Sequence, residues 1–152
     1  MLTGRLFRSE QCRYVRGSGL YRPVQLEGLM AQQLSGYCVL VVEDEFFLAI
    51  EIEDALTRAG AEIIGPLASV EEALDRVRAN GFDLAVLDIN LGGHLAYPVA
   101  DELTDRGVPF LFASAYVSSE IPPRHKARRL MEKPYNPSAL VAALVELTGR
   151  ST

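Results

Sequence analysis

Cys38-Val-Leu-Val-Val-Glu-Asp-Glu45 decides how this chain is read. Five apolar residues, three of them Val, run directly into three carboxylates. A short unbroken apolar run of this kind predicts a strand buried on both faces, as in a parallel sheet. The acids then fall at its carboxyl end, where open α/β sheets bind their ligands. Acids alone also suit a solvated turn, so the reading needs partners from elsewhere in the chain.

Those partners follow in order. Leu48, Ile52, Ala55, Leu56 and Ala59 share one face of a helix closed by Gly60. Glu62 to Leu67 reads as a second strand, and Ser69 with Glu72 as a capping box opening the next helix. Phe82 to Asp88 is a third strand ending in a carboxylate, followed by a loop containing Asn90, Gly92 and Gly93. Pro98 begins a helix ended by Gly107, with Val99, Ala100 and Leu103 inward. Val108 to Ser114 is a fourth strand ending in a hydroxyl. Tyr116 to Ala127 is irregular, broken by Pro122-Pro123. Arg129 to Lys133 is a fifth strand ending in an amine, and Asn136-Pro137 caps a last helix. Strands alternating with helices imply right-handed crossovers, hence a parallel sheet with helices on both faces.

Every strand but the second therefore ends in a reactive group: Glu43 and Asp44, Asp88, Ser114, Lys133. All carboxyl ends of a parallel sheet lie on one edge, so these groups are expected to converge. Clustered carboxylates require a cation, and hard oxygen ligands suit Mg²⁺. An amine and a hydroxyl beside a metal-bound carboxylate make a site for a phosphoryl group, with Asp88 as nucleophile.

Composition bounds the rest. The 152 residues are 49% hydrophobic and 23% charged, as expected of one globular domain. Residues 1–37 hold five Arg against two Glu, while residues 38–152 hold ten Lys and Arg against eighteen Asp and Glu. So acidic a core argues against nucleic-acid binding through its main surface. Residues 1–37 show no sustained period and are expected to be a flexible extension. Met30, just ahead of the domain, is a candidate start. Cys12 and Cys38 lack metal-ligand spacing, so free thiols are expected. No stretch is long and apolar enough to span a membrane, and the N-terminus lacks a signal peptide's apolar run, so cytoplasmic is the expectation. Arg124, His125, Lys126, Arg128 and Arg129 read as a solvated basic face, and His94 lacks the company of a metal ligand.

The set resembles the receiver domain of two-component response regulators, over about Cys38 to Leu147. Val42-Glu43-Asp44-Glu45 is similar to the family's acidic start, Leu87-Asp88 to its phosphoacceptor, Ser114 to its Thr/Ser and Lys133-Pro134 to its Lys-Pro. The resemblance implies a flavodoxin-like, doubly wound five-stranded sheet of order 2-1-3-4-5 in a receiver domain at 38–149. It implies phosphorylation of Asp88 by a histidine kinase or phosphotransfer protein. It implies Mg²⁺ held by Asp44, Asp88 and the backbone carbonyl of Asn90, with Glu43 acting through a metal water. The Lys133-Pro134 bond is expected to be cis, aiming the amine into the pocket.

Pro109-Phe110-Leu111-Phe112-Ala113-Ser114-Ala115-Tyr116 further resembles the signature of the "FAT GUY" receivers, mostly single-domain proteins. Ser replaces their Thr and Ala115 their Gly. Two departures concern the switch. Leu130 stands where an aromatic residue usually precedes the Lys, so Tyr116 is expected to take that role. The fourth helix of the receiver fold is expected to be shortened or missing.

Function then reads as a stand-alone response regulator that alters protein contacts with an unknown downstream protein, or as a phosphate sink or relay for a kinase. A phosphatase with an Asp nucleophile wants a second Asp two residues on, and Asn90 stands there instead. A degenerate receiver that binds without phosphorylation is disfavoured by the intact acids, Ser114 and Lys133. With Asn90 and Tyr116 flanking the water's approach, slow hydrolysis is expected.

Overall fold

The computed structural model describes residues 32–150. Met30 and Cys12 lie outside them, as does most of the 1–37 segment. Within these described residues seven strands and four helices follow one another: β1 (Cys38–Val42), α1 (Phe46–Arg58), β2 (Glu62–Leu67), α2 (Val70–Ala79), β3 (Leu84–Leu87), β4 (Asn90–Leu91), β5 (His94–Leu95), α3 (Tyr97–Asp105), β6 (Phe110–Ser114), β7 (Leu130–Glu132) and α4 (Pro137–Leu147). Five strands form one sheet of order β2-β1-β3-β6-β7, every pair parallel. This is the flavodoxin-like order expected, with β6 and β7 as the fourth and fifth sheet strands.

Both faces are dry. Leu40, Val42, Phe110 and Phe112 face one apolar cluster with Val77 of α2 and Val99 and Leu103 of α3. Val39, Val41, Leu111 and Ala113 face the other, with Ile52 and Leu56 of α1 and Leu140 and Leu144 of α4. The side chains alternate along each strand, but both sets are buried, which is why the sequence shows continuous apolar runs. Leu34 is fully buried in the second cluster, and its N–H donates to the Ala59 carbonyl at 2.8 Å.

Helix starts follow their caps. Ser69 Oγ accepts from Glu72 N–H at 3.2 Å, while the Glu72 carboxylate reaches one residue further back, to Ala68 N–H at 3.3 Å. Asn136 Oδ1 accepts from Ser138 N–H at 2.9 Å.

Two features differ from expectation, the hairpin after β3 and the state of Cys38, while the lost fourth helix is as expected. Gly92 and Gly93 both take positive φ, 59° and 91°, and fold the loop after β3 into a small antiparallel hairpin, β4–β5. Between β6 and β7 there are two 3₁₀ turns, Ser118–Glu120 and Pro123–His125, in place of the fourth helix of the receiver fold. Pro122 and Pro123 remove the N–H groups a longer helix would need. Cys38 is disulfide-bonded, which corrects the expectation of a free thiol.

Candidate functional site

The carboxyl ends of β1, β3, β6 and β7 meet in one open pit of about 400 Å³. Asp44, Glu45, Asp88, Asn90, Gly92, Ser114, Tyr116 and Lys133 are among its lining residues. Asp88 directly follows β3, at the centre of the sheet, and is 4% exposed. One of its oxygens, Oδ1, accepts from the Ser114 hydroxyl at 2.8 Å and from Asn90 N–H at 3.2 Å. Oδ2 accepts from Lys133 Nζ at 2.9 Å. The same amine lies 3.0 Å from Glu43 Oε2 and 3.7 Å from Glu45 Oε2. One cation thus serves three carboxylates. The Lys133-Pro134 peptide is cis, as expected.

Charge in the pit is poorly balanced. Burial pushes the Glu43 carboxyl up to about 7, and the Asp88 charge adds to this against hydrogen bonds from Glu45 N–H and Lys133. Burial presses the Lys133 amine down, but its hydrogen bonds to Asp88 and Glu43 outweigh that and hold it above its usual value. The Tyr135 hydroxyl, buried without a hydrogen-bond partner, is raised by burial and then by the surrounding carboxylates.

One ligand atom from each of Glu43, Asp44 and Asp88 lies within 4.8 Å of the others. The donors are all carboxylate oxygens, with neither His nor Cys among them, so they fit a hard divalent cation such as Mg²⁺. Asp44 Oδ2 accepts from Gly92 N–H at 2.8 Å, so the hairpin after β3 helps set this carboxylate.

The expected residues are brought together: Glu43, Asp44, Asp88, Ser114 and Lys133 at the centre, Asn90 and Tyr116 at the rim. Sequence reasoning missed three things. Glu45 belongs to the acidic ring, with Oε2 3.7 Å from the Lys133 amine. Gly92 supplies an amide to Asp44. Asn90 uses its side chain to close the hairpin, accepting from Gly93 N–H at 2.8 Å. Only the glycine pair hinted at the last two. Ala115 replaces a glycine without strain, since Asn80 is the only non-glycine with positive φ among the described residues.

The basic run keeps Arg124, Lys126 and Arg129 exposed, as expected of a solvated face, and departs from it at the buried His125 and the half-buried Arg128. His125 is 2% exposed. Arg124 pairs with Asp101, Arg129 with Glu146, and Arg128 sits over the Phe110 ring at 4.5 Å. His94 is exposed on the hairpin.

The sheet order and this convergence at its edge define a receiver, and sequence comparison agrees. The profile described as the response regulator receiver domain matches residues 39–145, and the chain belongs to that family. Among curated relatives, the transcriptional regulatory protein YvrH of Bacillus subtilis is 32% identical over 110 residues, covering 70% of this chain and 46% of YvrH. The chain spans about half the length of the curated relatives it matches first. Among solved structures, SdrG from Sphingomonas melonis Fr1 is 35% identical with a TM-score of 0.66, over 76% of this chain and 98% of SdrG. A BeF3-activated conformation of SdrG, from Pseudomonas melonis Fr1, is 33% identical with a TM-score of 0.61, over 77% and 99%. The response regulator TrrA from Thermotoga maritima, solved in complex with Mg²⁺-BeF, is 25% identical with a TM-score of 0.62, over 73% and 98%. No helix among the described residues is long and apolar enough to cross a membrane.

Proposed function

We propose that this receiver is a phosphorylation switch in which Asp88 is the phosphoacceptor. The observation that carries the reading is the Asp88 carboxylate itself. It is held between a hydroxyl and an amine delivered by two other strands, at 2.8 and 2.9 Å. An Asp88 oxygen attacks the phosphorus of a phosphoimidazole on a histidine kinase or phosphotransfer protein. The P–N bond breaks, its electron pair returns to the ring, and the ring takes up a proton. Lys133 and Ser114 then transfer their hydrogen bonds to phosphoryl oxygens. Glu43, Asp44, Asp88 and the Asn90 backbone carbonyl would hold Mg²⁺, which supplies charge neutralisation when bound. Asn90 offers an amide where a phosphatase would want an acid.

Ser114 is the last residue of β6, so its transfer to the phosphoryl group pulls on the segment that follows, beginning with Tyr116. The output is a change in protein contacts. Phe46 and Phe47, just past the acidic run, are 70% and 78% exposed and give a partner an apolar surface beside the pit. The stand-alone reading, within the FAT GUY type, draws support from SdrG, matched over 98% of its chain. Tyr116 and Asn90 flank the pit, so the acyl phosphate hydrolyses slowly.

The test is incubation with acetyl phosphate, with and without Mg²⁺, followed by intact mass. One phosphoryl group should appear with Mg²⁺ and persist for minutes or longer after the donor is removed. Asp88→Asn should take none. Labelling of Asp88→Asn equal to wild type would overturn the reading.

A further inference from the structure

Helix α3 and the 3₁₀ turn Pro123–His125 are joined by a cluster that the phosphoryl chemistry does not use. The buried His125 ring lies nearly parallel to Tyr97, with centroids 6.1 Å apart and planes 13° apart. It stands edge-on to Phe110 and Phe112, at 6.3 and 6.0 Å. Its Nε2 is 2.7 Å from Asp101 Oδ1. Asp101 also accepts from Arg124, at 2.8 Å on Oδ1 and 3.3 Å on Oδ2. The Arg124 guanidinium, with help from His125, holds the Asp101 carboxyl below the usual carboxylate range. Asp101 is therefore an acceptor, and the proton of this contact sits on Nε2. Two polar atoms are left over: His125 Nδ1 and the Tyr97 hydroxyl are buried without hydrogen-bond partners.

The cluster is thus tied by hydrogen bonds from His125 and Arg124 to one carboxylate, Asp101, and opposed by two unpaired polar atoms. Such a balance suits an element with two positions. It also lies next to the part of the chain that phosphorylation would move. Phe112, edge-on to His125, is two residues before Ser114. Tyr116 is two residues after it, and its N–H is 3.5 Å from Ser114 Oγ. Tyr116 packs against the same apolar cluster as Tyr97, Phe112 and Ile121.

We propose that His125 and Asp101 form a latch that holds the β6–β7 segment against α3, and that drawing Ser114 onto a phosphoryl group at Asp88 releases it. This rests on the phosphoacceptor reading. Release withdraws His125 from the Tyr97 face and uncovers Tyr97 and Ile121 as an apolar contact surface.

NMR of the ¹⁵N-labelled full chain tests this. In the metal-free protein the His125 Nε2–H should give a slowly exchanging resonance. Adding Mg²⁺ and beryllofluoride should shift the Gly92 amide, which reports the pit, and should remove the His125 resonance. A Gly92 shift with the His125 resonance unchanged overturns the latch and leaves the phosphoacceptor reading standing. No Gly92 shift at all overturns both. In Asp101→Ala, which removes the acceptor, the His125 N–H should exchange fast from the outset while the Gly92 shift remains; slow exchange in that variant also contradicts the latch.

Discussion

Glu43 shows what the pit costs the fold. It is 3% exposed, yet one amine shared with Asp88 is its cation. Its carboxyl value lies above that of an unfolded chain, at about 7. A raised value means that the stabilisation linked to this group is fully present below about pH 4.5 and is lost as pH rises through 7. The loss amounts to roughly 3 kcal/mol by linkage from the value of about 7. Glu43→Gln cannot ionise. In chelator at pH 8 it should therefore melt above wild type, and the gap should narrow markedly by pH 5.5. Mg²⁺ should raise the wild-type melting temperature at pH 8 far more than that of the variant. Thermal melts at the two pH values check this; a variant that melts below wild type at pH 8 contradicts it. Single residues were the least legible level in the sequence. Asp88, Ser114 and Lys133 each have ordinary readings alone, and Glu45 and Asn90 have roles fixed only by chain segments distant from them or by a glycine turn.

Elements were more legible, because their signals are local. The Ser69 and Asn136 caps and the Pro137 start lie where the sequence puts them. Strand ends shortened: the third runs Leu84–Leu87 rather than from Phe82, and the fifth Leu130–Glu132. What ends a strand is loss of a neighbour to pair with, and that is not a local property. The β1–β2 pairing carries a register break between Leu40 and Val42 that the sequence did not announce. Gly65 sits beside it at φ 105°, and a Cβ there would lie 2.5 Å from the Val41 carbonyl oxygen. Gly107 has φ 66° with nothing within 4 Å of a Cβ. Gly107→Ala should therefore cost only backbone strain, about 1–2 kcal/mol. Gly65→Ala should cost clearly more, because backbone must also move. Chemical denaturation of both variants measures the difference; equal losses would mean the β1–β2 contact is looser than described.

At the scale of the molecule, alternation of strand and helix fixed the parallel sheet, and the sheet in turn fixed which residues share an edge. That chain of inference needs no side-chain detail, which is why the convergence of four distant segments could be read before any coordinates. The segment between β6 and β7 escaped it. Its proline pair signals the loss of a helix, but burial of His125 among three aromatic rings depends on α3 and β6 lying side by side. A run of basic residues says nothing of that. The account as a whole stands on one carboxylate receiving the phosphoryl group. Phosphorylate the protein with acetyl phosphate and Mg²⁺, trap the acyl phosphate by borohydride reduction, and map the peptides. Asp88 should appear as homoserine, with Glu43, Asp44 and Glu45 unmodified. Reduction at any of those three instead, or at none, would contradict it.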